Sequence, residues 1–214
     1  MVKDALNASY PEYLGAANVT SQLIPRRGSI GGWEAGDFET LWTSIDSEGT
    51  QLVVPIISDM PYGFQFSAPY NTTKPDCLIA GINVAAQTGY HWDQTGGGCV
   101  YEITTHAIAY VNFTERSIPF QDAFLNATGI PPIYTGVGGA DAMNLFATAI
   151  TNAQSTTNTD IVDELEKFNY TNSFPGINAK IGFDENHDVL EVDPDNPITA
   201  GFFAVPYRQY QPDG

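Results

Sequence analysis

Basic residues are scarce in this 214-residue chain: eight Lys and Arg stand against 25 Asp and Glu, a formal charge of −17. With no basic run to offset that charge, nucleic acid and an anionic membrane surface are excluded as direct partners by repulsion. The acid count itself is ordinary for a globular protein, so the imbalance comes from missing bases and requires no halophile's carboxylate coat. Long hydrophobic runs are missing too. The longest, such as Leu52-Val53-Val54-Pro55-Ile56-Ile57, are strand-sized, well short of the roughly 18 apolar residues of a spanning helix. An acid, Asp4, stands where the hydrophobic core of a signal peptide would begin. The expectation is that the protein either stays inside or has had its N-terminus removed.

The signatures of catalysis are also absent. His91, His106 and His187 show no H-E-x-x-H or paired spacing, Gly96-Gly97-Gly98 lacks the Lys and Ser/Thr of a phosphate loop, and no G-x-S-x-G elbow occurs. Asp184-x-Asn186-x-Asp188 opens like a calcium-binding loop. Val189 then stands where glycine is required and Asp195 where the closing Glu belongs, so a hairpin turn explains the run better. No metal, no cofactor and no enzymatic activity are expected.

What is present is enough for a sizeable core: 43% hydrophobic and 12% aromatic residues exclude disorder. Cys77 and Cys99 are the only cysteines, each beside a strand-like run. Outside the cytosol an even count favours a disulfide between them, whose loop of about 22 residues would contribute roughly 3 kcal/mol. Two buried free thiols are the alternative. Six Asn-x-Ser/Thr sequons, at Asn7, Asn18, Asn71, Asn112, Asn126 and Asn169, exceed what composition alone would give and point to an exported, glycan-bearing surface.

Along the chain, Phe38, Leu41, Trp42 and Ile45 fall at i, i+3, i+4, i+7 and predict a helix that stops at Gly49. Gln51 to Ile57 is a continuous β-branched run without alternation, as expected of a parallel strand buried on both faces. A short helix over Phe64 to Tyr70 and a second buried strand over Cys77 to Asn83 complete a βαβ wind. Further on, Gly138 to Gln154 predicts a helix with Ala140, Met143, Ala147 and Ile150 on one face, Phe146 alongside and Asp141 in its first turn. Asp160 to Phe168 predicts another, burying Ile161, Leu165 and Phe168, with Thr159 as its N-cap. Ala179 to Phe183 and Val189 to Val192 then flank the turn Asp184 to Asp188 as an antiparallel hairpin, and Gly201 to Tyr207 forms a further strand. The fold class is α/β, an open, mainly parallel sheet with flanking helices and a C-terminal antiparallel hairpin.

Several of these segments, in order over residues 35 to 207, resemble the type I extracellular solute-binding proteins of ABC transporters, in the branched-chain amino-acid-binding family. They are Gly36-Asp37-Phe38 opening a helix before a strand, Ala80-Gly81-Ile82-Asn83-Val84, Pro132-x-Tyr134 leading to Ala140-Asp141-Ala142, and Gly182-Phe183-Asp184-Glu185-Asn186-His187-Asp188. The resemblance implies two α/β lobes closing on a small solute. It also implies a chain lacking most of the first lobe, with Val2 to Leu6 inside a second-lobe helix. It divides the chain into 1–104, second-lobe core; 105–172, a helical return through the first lobe; and 173–214, a hairpin and strand rejoining the second lobe.

In open α/β sheets ligands bind beyond the carboxyl ends of the parallel strands. Those ends are Ser58-Asp59, followed by Tyr62, and Asn83, followed by Gln87 and Trp92. Asp59 suits a ligand ammonium, Ser58 with Asn83 its other polar atoms, and Tyr62 with Trp92 an aromatic wall, Gln87 lying downstream. The alternatives are a turn residue at Asp59, strand-end bonding at Asn83 and ordinary packing at Tyr62 and Trp92. The resemblance supports the positions of Ser58 and Asn83, though not the aromatic and acid that amino-acid binders often carry there. The expected function is capture of a small polar solute, such as an amino acid or amide, for an ABC importer. Its permease would be the protein partner, the location extracellular or periplasmic at the cell surface, and contact with the membrane made only through the transporter or an anchor. The alternative is a glycosylated surface or sensor protein using the same fold without transport.

Overall fold

A computed structural model describes residues 32–212. The apolar stripe of the first helix, α1 (Ala35–Ser47), forms as its spacing demands: Phe38, Trp42 and Ile45 are buried and Leu41 packs against them. Gly49, at φ 64°, ends the helix in the left-handed region that a side chain would resist. The β-branched run that follows is one strand in two pieces, β1 (Leu52–Val53) and β2 (Ile56–Ile57), divided at Pro55, which has no N–H to offer a ladder. Helix α2 (Met60–Ser67) begins earlier than Phe64 because the Asp59 carboxylate accepts the Tyr62 N–H at 3.1 Å and Pro61 fits the first turn. A short helix α3 (Tyr70–Thr73) leads into β3 (Leu78–Asn83), then α4 (His91–Thr95) and β4 (Ile103–Thr105).

Both pieces of the first strand pair in parallel with β3, Leu52 opposite Leu78 and Ile57 opposite Asn83, and β3 pairs in parallel with β4. The backbones approach closely where Gly81 meets Pro55: a Cβ on Gly81 would lie 2.3 Å from the Pro55 carbonyl oxygen. Beyond β4 come α5 (Ser117–Thr128), α6 (Tyr134–Ala153) and α7 (Asn158–Leu165). The chain returns through β5 (Phe174–Pro175) and β6 (Lys180–Ile181), an antiparallel pair, and ends its path in β7 (Tyr207–Gln209), antiparallel to β4. The expected hairpin turn is there as well, with Phe183 bridged to Val189 and the Asp184 carboxylate accepting the N–H groups of Asn186 and Asp188. Those bonds hold Asp184 below the usual carboxylate range.

Four expectations are corrected. The first strand and β3 are not buried on both faces. Val53, Ile57 and Ile79 pack under α1 and α2, whereas Leu52, Val54, Ile56, Leu78 and Ile82 are exposed, Ile56 and Leu78 by more than half. An all-apolar run carries no alternation, so it does not reveal which face is covered. Helix α6 starts at Tyr134 and buries Val137, Asp141, Leu145 and Ala149, leaving Met143 71% exposed and Phe146 and Ala147 outside as well. Asp141 turns the helix: both its oxygens accept the Ile177 N–H, at 2.8 and 2.9 Å, so a carboxylate lies on the inner face instead of in the first turn. Burial pushes this carboxyl above its usual range, and bonds from the backbone at Ile177 and Asn178 oppose the shift. Helix α7 starts after Thr157, not Thr159, and ends at Leu165, with Ile161 its buried residue. Finally, Cys77 and Cys99 are both buried free thiols. Cys77 packs in the core beneath α1 and Cys99 with Ala86 and Tyr210 in a separate cluster, and burial pushes Cys99 up to about 11.

Among the described residues no helix is long and apolar enough to cross a membrane. Asn71, Asn112, Asn126 and Asn169 are exposed; Asn7 and Asn18 lie outside the described residues, as do Val2 to Leu6.

Candidate functional site

The parallel register puts the ends of β2 and β3 side by side, since Ile57 is opposite Asn83. Ser58 is exposed at that edge, and Asp59 caps α2. The other expected residues part company. Tyr62 is buried edge-on to Phe38, ring centroids 5.4 Å apart. Trp92 is half-buried against Ala86, Cys99 and Tyr210. Both take part in apolar packing, Tyr62 with almost no surface left to solvent.

Asn83 is fully buried, and its side chain completes an interior polar network. Its Nδ2 donates to Glu102 Oε1 at 2.9 Å and to the Gly63 carbonyl at 3.2 Å, while its Oδ1 accepts the Ala85 N–H. Glu102 also accepts the Ser67 hydroxyl at 2.8 Å and meets His91 Nε2 at 3.1 Å. Ser67, Asn83, His91 and Glu102 are all completely shielded from solvent. A carboxylate taken from water needs just such partners. The network ties α2, β3, α4 and the start of β4 together below the strand ends. Ser67 and His91 address the same carboxylate oxygen, so the trio lacks the Ser–His contact of a nucleophile with its base.

Gln87 alone among the expected residues lines a cavity of about 220 Å³. Its floor comes from the strand ends: Gln87 after β3, His106, Ile108, Ala109 and Tyr110 after β4, and Arg208 on β7. Its other wall is Gln121 and Leu125 of α5 with Pro131 and Pro132 before α6. That volume is under the roughly 300 Å³ at which drug-sized sites begin, so only a small molecule fits.

The loop after β4 is held in place by side chains. Gln121 donates to the Ala109 carbonyl at 2.9 Å and Asn178 to that of Ala107 at 2.6 Å. His106 has its tautomer set by two backbone contacts: Nδ1 accepts the Ile108 N–H at 3.3 Å, so Nε2 carries the proton and donates to the Gln87 carbonyl at 3.0 Å. Burial, with Arg208 nearby, pushes its pKa below the usual 6.5, and the ring is neutral at physiological pH. Arg208 gives Nη1 to the Thr88 carbonyl and the Tyr210 hydroxyl at 3.4 and 3.5 Å, both long contacts. His106 and Arg208 were missed from sequence. They stand about a hundred residues apart and meet only because β7 returns beside β4, which no local pattern announces.

No protein-family model and no curated protein matches the chain. Solved structures do. A leucine-binding protein from Thermotoga maritima superposes with a TM-score of 0.62 at 18% identity, covering 90% of this chain and 52% of that one. A solute-binding protein of an ABC transporter from R. palustris, in complex with benzoate, gives 0.66 at 14%, covering 94% and 52%. A leucine-, isoleucine-, valine-, threonine- and alanine-binding protein from Brucella ovis gives 0.61 at 13%, covering 98% and 54%. The chain spans about half the length of these structures. It has the α/β fold of type I periplasmic binding proteins, as the sequence resemblance implied.

Proposed function

We propose that this chain is part of the solute-binding component of an ABC importer, capturing a small polar solute between two lobes. One observation carries the reading. Three parallel strands end side by side, and the loops after two of them, β3 and β4, line a cavity of small-molecule size closed from the far side by α5. The relatives in fold are named for binding leucine, other small amino acids or benzoate, which supports solute capture as the class of activity. In this reading residues 1–104 form the second-lobe core, 105–172 the helical return and 173–214 the segment rejoining it. The permease is the protein partner, and the site of action is extracellular or periplasmic. Binding rather than catalysis is favoured because the one Ser, His and Glu grouping found here is sealed from solvent.

A second reading, a glycosylated surface protein that uses the fold without transport, draws on the exposure of all four described sequon asparagines. Thermal-shift screening against amino acids, amides and small organic acids separates the two. Solute capture predicts a rise in melting temperature that saturates with one ligand class. No shift with any of them, together with self-association, would favour the second reading.

A further inference from the structure

The chemistry of the cavity narrows the solute beyond what the fold implies. Of the five Lys and Arg among the described residues, Arg208 alone lines it, and no Asp or Glu does. The Arg208 Nε and Nη2 groups have no partner among the described residues, and Nη1 makes only the two long contacts. A guanidinium with its fork open is built to take a carboxylate in two parallel bonds. On a protein of charge −17 this makes the cavity a positive inlet in a negative surface.

Gln87 offers no second anchor. It donates Nε2 to the Thr105 carbonyl at 3.2 Å, and its Oε1, unpartnered, is buried out of reach of a solute in the cavity. His106 cannot serve the ligand, since both ring nitrogens are engaged with backbone. Ile108, Leu125 and Pro132 supply hydrocarbon to the lining beside Arg208. A free amino acid fits poorly, because its ammonium finds no carboxylate in the lining. Asp122, next to the lining residue Gln121, accepts the Tyr110 hydroxyl at 2.7 Å.

We propose that the cavity is a site for a small organic monocarboxylate with an apolar body, its carboxylate held by Arg208. The proposal rests on the solute-binding reading above.

Calorimetric titration of the 214-residue chain with three probes tests it: 4-hydroxybenzoate, the isosteric neutral 4-hydroxybenzamide, and leucine. The expected order places 4-hydroxybenzoate at least about tenfold tighter than either of the others, with an affinity that falls as salt is raised. Arg208→Gln is expected to remove that advantage, and Arg208→Lys to restore part of it. Because the first comparison uses the unaltered chain, it stands even if a variant folds poorly. Equal binding of acid and amide, tighter binding of leucine, or an Arg208→Gln chain that binds the acid as before would each overturn the monocarboxylate assignment while leaving solute capture intact. Binding of none of the three at millimolar concentration overturns both.

Discussion

Two groups of polar side chains lie within one sheet's reach of each other, and they differ in what they have left to give. Around Glu102 the group is sealed from solvent: Ser67, Asn83 and His91 all point at one carboxylate and water reaches none of them, with His91 Nδ1 left buried and unpartnered. Around Arg208 it is open, with a cavity-lining guanidinium whose Nε and Nη2 bond to nothing among the described residues. Both draw on β3 and β4, the first through Asn83 and the residue before β4, the second through the loops that follow the two strands. The difference teaches that polar residues at a strand end become structural when a carboxylate from the next strand reaches them, and become available to a solute when it does not.

The comparison can be broken by mutation, and the closed group should respond most strongly. Glu102→Ala leaves a hydroxyl, an amide and an imidazole buried without their shared acceptor. A loss of about 3–5 kcal/mol in unfolding free energy is expected by denaturant titration. A loss under about 1 kcal/mol would show that water enters and that the group is not sealed. Asp141→Ala removes the acceptor of the buried Ile177 N–H and should cost about 1–3 kcal/mol by the same measurement.

His106 sits between the two cases, satisfied by backbone yet lining the cavity. Its folded-state pKa is depressed, so at pH values around and below 6.5 the unfolded chain binds the extra proton more readily than the folded one. The stability from its neutral form is therefore complete above about 6.5 and is lost as pH falls from there toward the folded value. Melting temperatures recorded between neutral and mildly acid pH should fall less steeply for His106→Gln than for the unaltered chain; parallel curves would remove His106 from the account. The smallest effect belongs to the open group. Arg208→Gln should leave unfolding free energy within about 0.5 kcal/mol of the original, because the side chain is exposed and its contacts are long. A large loss there would make Arg208 a structural brace.

How far the sequence discloses such a molecule depends on the range of the cause. The parallel pairing of the Leu52 and Leu78 strands was legible because β-branched residues concentrate there. The α1 stripe of Phe38, Trp42 and Ile45 was legible because period and burial agree. The inner face of α6 was not, since hydropathy sends Asp141 outward while the Ile177 N–H draws it in. The closed group was half visible: Asn83 was placed at the right strand end, but Glu102 and His91 gave no sign of meeting it. Of the cavity only Gln87 was found, for its remaining groups come from β4, α5 and β7, brought together by pairing that forms late in the sequence.

Among the described residues, the exposed stripe of Leu52, Val54, Ile56, Leu78 and Ile82 bears on how copies of the chain meet in solution. Copies of the chain are held apart by like charge, whose reach shrinks from about 30 Å at 0.01 M salt to about 3 Å at 1 M. The greasy patches then touch before the repulsion is felt. A preparation that stays clear in dilute buffer will cloud in brine, the reverse of a protein whose clumping is electrostatic.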